Sequence, residues 1–311
     1  MLFRSLAQVS AGLNQQVGTV VGQVNALTTT IAALNKQISV VSPNGDAGPL
    51  EDQRQQAIAQ LSQYVGLNQI TTESNGITLT TANGAVLVSG SQSYALSTTQ
   101  VLGKTDVVAN GQDVTSGLTG GQLGGVLQAR DQEIPTYASA LDTLAYGLGT
   151  AVNQQNALGT DGSGNPGGAI FTLPTSAAGA ALSIQVATTD PNAVAAAATG
   201  EGSSGSGNAV AMADLATANV AGGDTASGFL ASFLGQIGND TAGATTDSTA
   251  QQAVLTQLTS QRDSLSGVSL DEEASNLTQY QRSYEAAAKV FSIVDTLMAS
   301  ALNLGEETTV T

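Results

Sequence analysis

Near the front of the chain, Leu13, Val17, Val20, Val24, Leu27, Ile31, Leu34, Ile38 and Val41 alternate steps of four and three without a slip. That heptad spacing predicts one long helix with a narrow apolar seam. Burial of each such side chain contributes roughly 2 kcal/mol, while ordering costs about 1–2 kcal/mol for every residue of the helix. Gly12, Gly18 and Gly22 each add about 1 kcal/mol of helix penalty, so the helix is expected to need partners. Ser42-Pro43-Asn44-Gly45 reads as a turn. Pro49 then opens a second helix to about Val65, with Ala57, Ile58, Leu61 and Val65 on one face and Gly66 as the stop, an antiparallel partner for the first.

After Gly66 the period changes to two. Leu67 to Thr72, Ile77 to Thr81 and Ala85 to Val88 are separated by Asn75-Gly76 and Asn83-Gly84, the strongest short hairpin signal. Tyr94 to Leu102 and Asp106 to Ala109 extend this to a small antiparallel sheet whose Thr- and Ser-rich face suggests an outer spacer. A glycine-rich run, Gly117 to Gly125, precedes a third helix marked by Leu123, Leu127, Arg130, Ile134, Tyr137, Leu141, Leu144, Leu148 and Ala151, in which Pro135 is expected to cause a kink. Residues 159–179 read as loop, Ala181 to Ala187 as a strand, Asn192 to Ala198 as a short helix opened by Asp190-Pro191, and Gly200 to Gly207 as a disordered linker. Helical patterning returns over Met212 to Val220 and Thr225 to Leu265, with a hairpin turn at Ser266-Gly267.

The final helix has the clearest start. Ser269 can act as N-cap with Glu272 completing a capping box, and Asp271, Glu272 and Glu273 place negative charge beside the first-turn N–H groups. Its seam runs through Leu270, Ala274, Leu277, Tyr280, Tyr284, Ala287, Phe291, Val294, Met298 and Ala301. The resulting expectation is a mainly α fold, long helices in a coiled-coil-like bundle with a small antiparallel β element. Its segments are 1–66 (N-terminal helices), 67–116 (β element), 117–158 (central helix), 159–208 (loop and linker) and 209–311 (C-terminal helices). The candidate assembly residues are Leu13, Val17, Val24, Leu27, Ile31 and Leu34 on the first helix, and Leu270, Leu277, Tyr280, Tyr284, Phe291, Val294 and Met298 on the last. Both stripes are expected to lie bare within one molecule and to be covered by other subunits.

Composition supports an extended, interaction-built protein. Aromatic residues make up 4% and charged residues 10% of the 311, the charged share well under the usual value of about 25%. A net charge of −16 repels phosphate backbones and anionic lipid surfaces, which argues against nucleic acid as a partner. The chain has no Cys, so neither a disulfide nor a thiolate metal site can form. It shows no uninterrupted apolar run of about 18 residues for a membrane span, and Met1 to Ser5 lacks a signal peptide's apolar core.

Catalytic chemistry is poorly supported. No His is present, which removes a Ser-His-Asp triad and the commonest metal ligand. Glu272 and Glu273 are adjacent on a helix and point about 100° apart, so they read as helix-start charges rather than a facing acid pair. A carboxylate-based glycan hydrolase would need two facing acids about 5–10 Å apart in a cleft. Gly103-Lys104-Thr105 resembles the end of a phosphate loop, but Thr98 stands where the first Gly is needed, and a strand-end turn is the better reading. Asp161-x-Ser163-x-Asn165 has calcium-loop spacing, yet Pro166 replaces the required Gly and Thr172 the bidentate acid, leaving a polar turn. Gly120-x-x-x-Gly124 reads as a hinge. No catalytic, cofactor or metal residue is assigned.

The run Gly267-Val268-Ser269-Leu270-Asp271-Glu272-Glu273-Ala274, followed by Leu277, Gln279-Tyr280-Gln281 and Tyr284-Glu285-Ala286, resembles the C-terminal signature of bacterial flagellar axial proteins. Within that group the chain is most similar to the hook-associated family of the hook–filament junction (FlgK-like). Further similarity lies in Leu50 to Val65, with Asp52-Gln53-Arg54, and from Gly120-Gly121-Gln122-Leu123-Gly124-Gly125 through Arg130-Asp131-Gln132 to Asn165-Pro166-Gly167-Gly168. The resemblance implies a non-enzymatic structural subunit that self-assembles in a ring, with hook protein and a second junction protein as neighbours. It also implies a chaperone on the C-terminal helix, passage through the flagellar export apparatus and an extracellular location on the flagellum, without membrane insertion. Two departures stand out: the family's opening helix, rich in Asn and Ala, is missing, which suggests an N-terminally truncated chain, and few residues stand between Phe171 and Asp190 where relatives often carry large β domains. The competing binding reading, a secreted coiled-coil adhesin or phage-tail-like fibre, would show trimeric heptads and repeated modules, and the chain has no internal repeat.

Overall fold

Leu2–Val41 form one helix, α1, and Gly48–Tyr64 a second, α2, in a computed structural model that describes residues 2–41, 47–71, 76–202, 204–266 and 270–306. The described chain divides into two units, 1–236 and 237–311. The expected turn at Ser42 to Gly45, Asn75 of the Asn75-Gly76 turn, Gly267 of the last hairpin turn and the N-cap Ser269 lie outside the described residues.

The seam of α1 is the spine of the first unit's core. Val17, Val20, Val24, Ile31 and Ile38 are each at most 1% exposed. Leu34 is buried, and Leu13 and Leu27 are half-buried against the same cluster. Covering them are Ala57, Ile58 and Leu61 of α2, with Ile77, Leu79, Leu87, Val88, Leu96 and Val107 from the strands. The expectation that Leu13, Val17, Val24, Leu27, Ile31 and Leu34 wait for other subunits is therefore overturned. The period-two strands that looked like an outer spacer turn an apolar face inward and close the seam within the chain. By length and average composition α1 is also apolar enough to cross a membrane. Its apolar side is instead part of this core.

The strands form two antiparallel sheets. One runs β1 (Leu67–Thr71), β2 (Ile77–Thr81), β3 (Val86–Ser89), β4 (Gln92–Ser93); the other runs β5 (Leu96–Val101), β6 (Lys104–Ala109), β7 (Gln112–Asp113). Buried and half-buried positions alternate along β2 and β6, so Ile77, Leu79, Thr81, Thr105, Val107 and Ala109 face the core. Asparagines of α1 satisfy strand backbone. Asn25 both donates to and accepts from Leu96 at 2.8 Å. Asn35 donates to the carbonyls of Ile77 (3.1 Å) and Gly90 (2.8 Å) and accepts from Arg54 Nη1 at 3.0 Å.

α3 (Gly121–Gln128) begins where a side chain is sterically impossible. A Cβ on Gly121 would sit 2.5 Å from the Tyr64 carbonyl carbon and the Val65 nitrogen. In place of the expected hinge at Gly120-x-x-x-Gly124, Gly120 and Gly121 cross closely over Gly66 and the end of α2, and Gly124 packs against Thr119 of the preceding loop. A π turn at Ala129–Glu133 joins α3 to α4 (Ile134–Ala157). Pro135 follows directly on the π turn in a backbone that is still helical at Glu133 and Ile134, so the break its missing N–H makes in the hydrogen-bond ladder coincides with that irregularity and the helix continues.

Residues 159–208 follow a largely irregular path held by polar groups of α4. β8 (Gly159–Thr160) pairs with β11 (Ala197–Ala198), and β9 (Phe171–Thr172) with β10 (Gln185–Val186). The expected strand Ala181 to Ala187 is instead the turn of helix α5 (Ala180–Ser183) followed by β10, and the expected helix Asn192 to Ala198 is a 3-10 turn, Pro191–Ala193, running into β11. The cause of the first is Asp142, nearly buried on α4, whose carboxylate accepts from Gly179 N and Ala181 N at 2.8 Å and fixes the start of α5. Asn153 Oδ1 accepts from Ile170 N and Phe171 N, and its Nδ2 donates to Phe171 O at 2.7 Å. Asn156, 0% exposed, donates to Gly168 O and Ala193 O and accepts from Ala195 N. The linker reading of Gly200 to Gly207 is corrected for the described residues, which leave out Ser203: the Glu201 carboxylate accepts from Ala198 N (3.0 Å) and Gly207 N (2.9 Å) and ties the two flanks together.

α6 (Gly207–Asp214) then leads to the hairpin β12 (Asn219–Ala221) and β13 (Asp224–Thr225), so helix ends before Val220. α7 (Ala226–Ser266) starts in the first unit, where Phe233 meets Tyr137 of α4 edge-on, ring centres 6.0 Å apart. In the second unit α7 continues, its residues 238–261 exposed, with Thr241, Thr245 and Thr249 bonding back to carbonyls four residues earlier. α8 spans Leu270–Glu306.

Candidate assembly surface

The apolar stripe of α8 faces solvent. Leu277 is 59% exposed, Tyr280 76%, Tyr284 79%, Phe291 74%, Val294 45% and Met298 60%. Val290, Ile293 and Leu297 add further exposed apolar surface on the same helix. The side chains of Leu270 and Glu272 lie outside the described ones, so the capping box and the first seam position carry no geometry. Of the candidate assembly residues, the six described positions on α8 are exposed and those on α1 are core. Isolated exposed apolar residues are ordinary, whereas a helix-long row of them marks an interaction surface.

A polar cluster in the first unit escaped sequence reading. Arg130 occupies a seam position among leucines, yet its side chain is 0% exposed and pairs with Asp131 (2.7 Å) and Asp106 (3.5 Å). It also donates to Asn14 Oδ1 at 3.2 Å and to the Thr105 carbonyl. Lys104 completes the group through Asp131 at 2.8 Å. Burial pushes the Asp131 carboxyl up, but hydrogen bonds and charge from Arg130 and Lys104 outweigh it and hold the group below its ordinary value. A single cation in an apolar stripe, followed by an acid, is the signal that could have found it. The cluster ties α1, β6 and the π turn together and offers no open coordination or nucleophile.

Other chemistry resolves into structure. Gly103-Lys104 lies at the β5–β6 turn, and Asp161 Oδ1 accepts from Ser163 N and Asn165 N, both at 2.8 Å, in a polar turn. Among the described residues no group of three or more acids could hold a metal ion.

Residues 2–171 match the family described as the flagellar hook-associated protein FlgK helical domain, and residues 259–304 match the flagellar basal body rod FlgEFG protein C-terminal family. The chain belongs to the FlgK family. The first match covers the core of the first unit, and the second covers the α8 stripe. FlgK-family relatives include flagellar hook-associated protein 1 of Salmonella typhimurium, 27% identical over 395 residues, covering 94% of this chain and 71% of the relative. The Bacillus subtilis protein of that name is 29% identical over 343 residues, covering 96% and 67%. The solved flagellar hook junction protein FlgK from Burkholderia pseudomallei is similar at 34% identity and a TM-score of 0.51, over 56% of this chain and 33% of that one. As a FlgK-family member the chain is a structural component of the bacterial flagellum, which displaces the adhesin and fibre readings.

Proposed function

We propose that this chain is a subunit of the hook–filament junction that enters the flagellum by burying the α8 stripe against neighbouring subunits. The observation that carries the reading is the exposure of Leu277, Tyr280, Tyr284, Phe291, Val294 and Met298 on one helix. Covering each such side chain would contribute roughly 2 kcal/mol, enough in sum to offset the loss of rotational and translational freedom on docking. Neighbours of matching chemistry are other copies in a ring, hook protein and a second junction protein. Before assembly the same stripe needs shielding, which fits a chaperone that releases it for passage through the flagellar export apparatus to the cell exterior. The α1 seam takes no part.

The test is complementation. In-frame deletion of the encoding gene should leave hooks without attached filaments, and the full chain should restore swimming. Leu277→Asp with Phe291→Asp should fail to restore it while the circular dichroism of the purified chain keeps its strand contribution. Wild-type swimming by that double variant overturns the docking surface.

A further inference from the structure

α1 and α8 carry the same heptad steps, yet the face that α1 buries is broader than its seam. Val21, Thr28 and Asn35, spaced seven apart beside the seam, are at most 4% exposed, and the half-buried Asn14 heads the same column. A second helix laid along heptad positions covers a narrow line, whereas a sheet covers a wide one. Three asparagines mark where the sheets lie. Asn25 takes both backbone groups of Leu96, on the edge strand β5, and Asn35 takes the carbonyls of Ile77 and of Gly90 in the β3–β4 turn. Asn14 accepts from Thr105 N at 2.9 Å and donates to Gly103 O, in the β5–β6 turn, at 3.4 Å. Strand edges and turns offer free N–H and C=O groups; a helix pairs its own internally and has none to give along its length.

We infer that Asn14, Asn25 and Asn35 select the partner of α1. They admit the chain's own strands and reject a helix of matching heptad spacing, of which the chain itself carries one in the α8 stripe. With a helix in the strands' place, these amides and the backbone groups they serve lose their bonds together, and a buried bond left unmade costs more than a made one contributes. A buried Asn fixes register and strand number in coiled coils by the same logic. The choice is made while the chain folds, when seam and stripe are both bare. It concerns α1 alone and holds whatever α8 finally docks on.

The test refolds the full-length chain from urea with a fluorescent synthetic peptide of Leu270–Glu306, in a Leu277→Asp, Phe291→Asp background that removes the chain's own stripe from the competition. The parent should refold without holding the peptide. Asn25→Leu, and more so Asn14→Leu with Asn25→Leu, should hold it at least about tenfold more tightly by anisotropy, a change of roughly 1.4 kcal/mol. In chains that hold it, the Leu79 and Val107 amides should lose protection from exchange while those of Val20 and Val24 keep theirs, because a helix has replaced the strands. Leu79→Ala loosens the β element and leaves the asparagines intact, so it should hold no more peptide than the parent. Capture by Leu79→Ala equal to that by Asn25→Leu would reduce the asparagines to general stabilisers and overturns the inference. So does capture by the parent as tight as by the Asn variants, or no capture by either of them.

Discussion

Replacing Arg130 with Met tests whether the buried polar cluster holds the first unit together. Met keeps much of the aliphatic stem and removes the guanidinium, so the loss is chiefly that of charge and hydrogen bonds. Breaking a fully buried ion pair from one side costs about 3–5 kcal/mol. Here Asp106 and Asp131 keep 16% and 30% of their side-chain surface in water. They can therefore be partly resolvated, and Asp131 retains Lys104, which lowers the expected cost to about 2–3 kcal/mol. For a unit of this size that corresponds to a melting midpoint about 5–10 °C lower. Thermal unfolding followed by circular dichroism reads it directly. Lys104→Met is the control, because that pair is 45% exposed on the lysine side and should contribute no more than about 1 kcal/mol. If Arg130→Met melts within about 2 °C of the parent, the cluster does not stabilise the fold and the reasoning fails.

Asn156→Ala should cost about 3 kcal/mol in urea unfolding, because three backbone groups lose their partner in a site closed to water. The Ala195 amide should exchange with solvent much faster in that variant while the α1 amides do not change; equal effects at both sites would refute a local role. Backbone hydrogen bonds from Ala198 and Gly207 hold the Glu201 carboxyl below its ordinary value, opposed by a smaller effect of burial. Its pKa is higher in the unfolded chain, so the stabilisation is present above the unfolded value and is lost as pH falls through the folded one. Asp113, bonded by Thr115, and Asp131 are shifted the same way, so stability should hold from about pH 7 to 5 and decline below about pH 4. A carboxyl NMR titration that finds Glu201 at or above the usual glutamate range would sink this account.

The long helices were legible because a helix buried on one side must repeat its apolar residues every three or four positions, as Val17 to Ile38 and Leu123 to Leu148 do. What covers a seam was not legible. The spacing of Val24 and Ile31 is the same whether another molecule or the chain's own Leu79 and Val107 packs on it, and sequence alone left the two apart. Arg130 was hidden for a related reason: periodicity records where a side chain points and not whether it finds Asp106 and Asp131. Residues 159–208 were least legible, because Asp142, Asn153, Asn156 and Glu201 act on backbone groups, and backbone groups are the same at every position. The α8 seam carries the same heptad spacing as the α1 seam, and only the structure distinguishes the two: its described side chains from Leu277 to Met298 are exposed, whereas Val24 and Ile31 are buried.

The grip of Asp142, Asn153 and Asn156 on residues 159–208 has a consequence for how this protein tolerates change. The groups held are the amides and carbonyls of Gly168, Ile170, Phe171, Gly179, Ala181, Ala193 and Ala195. Side chains along much of that path are not what is recognised. Mutational freedom is therefore divided unevenly: a handful of letters on α4 are fixed, as are the tight spots Gly159, Gly167, Ala180 and Ala195, while the exposed spelling between them is free to drift, provided the main chain returns to the same clasps.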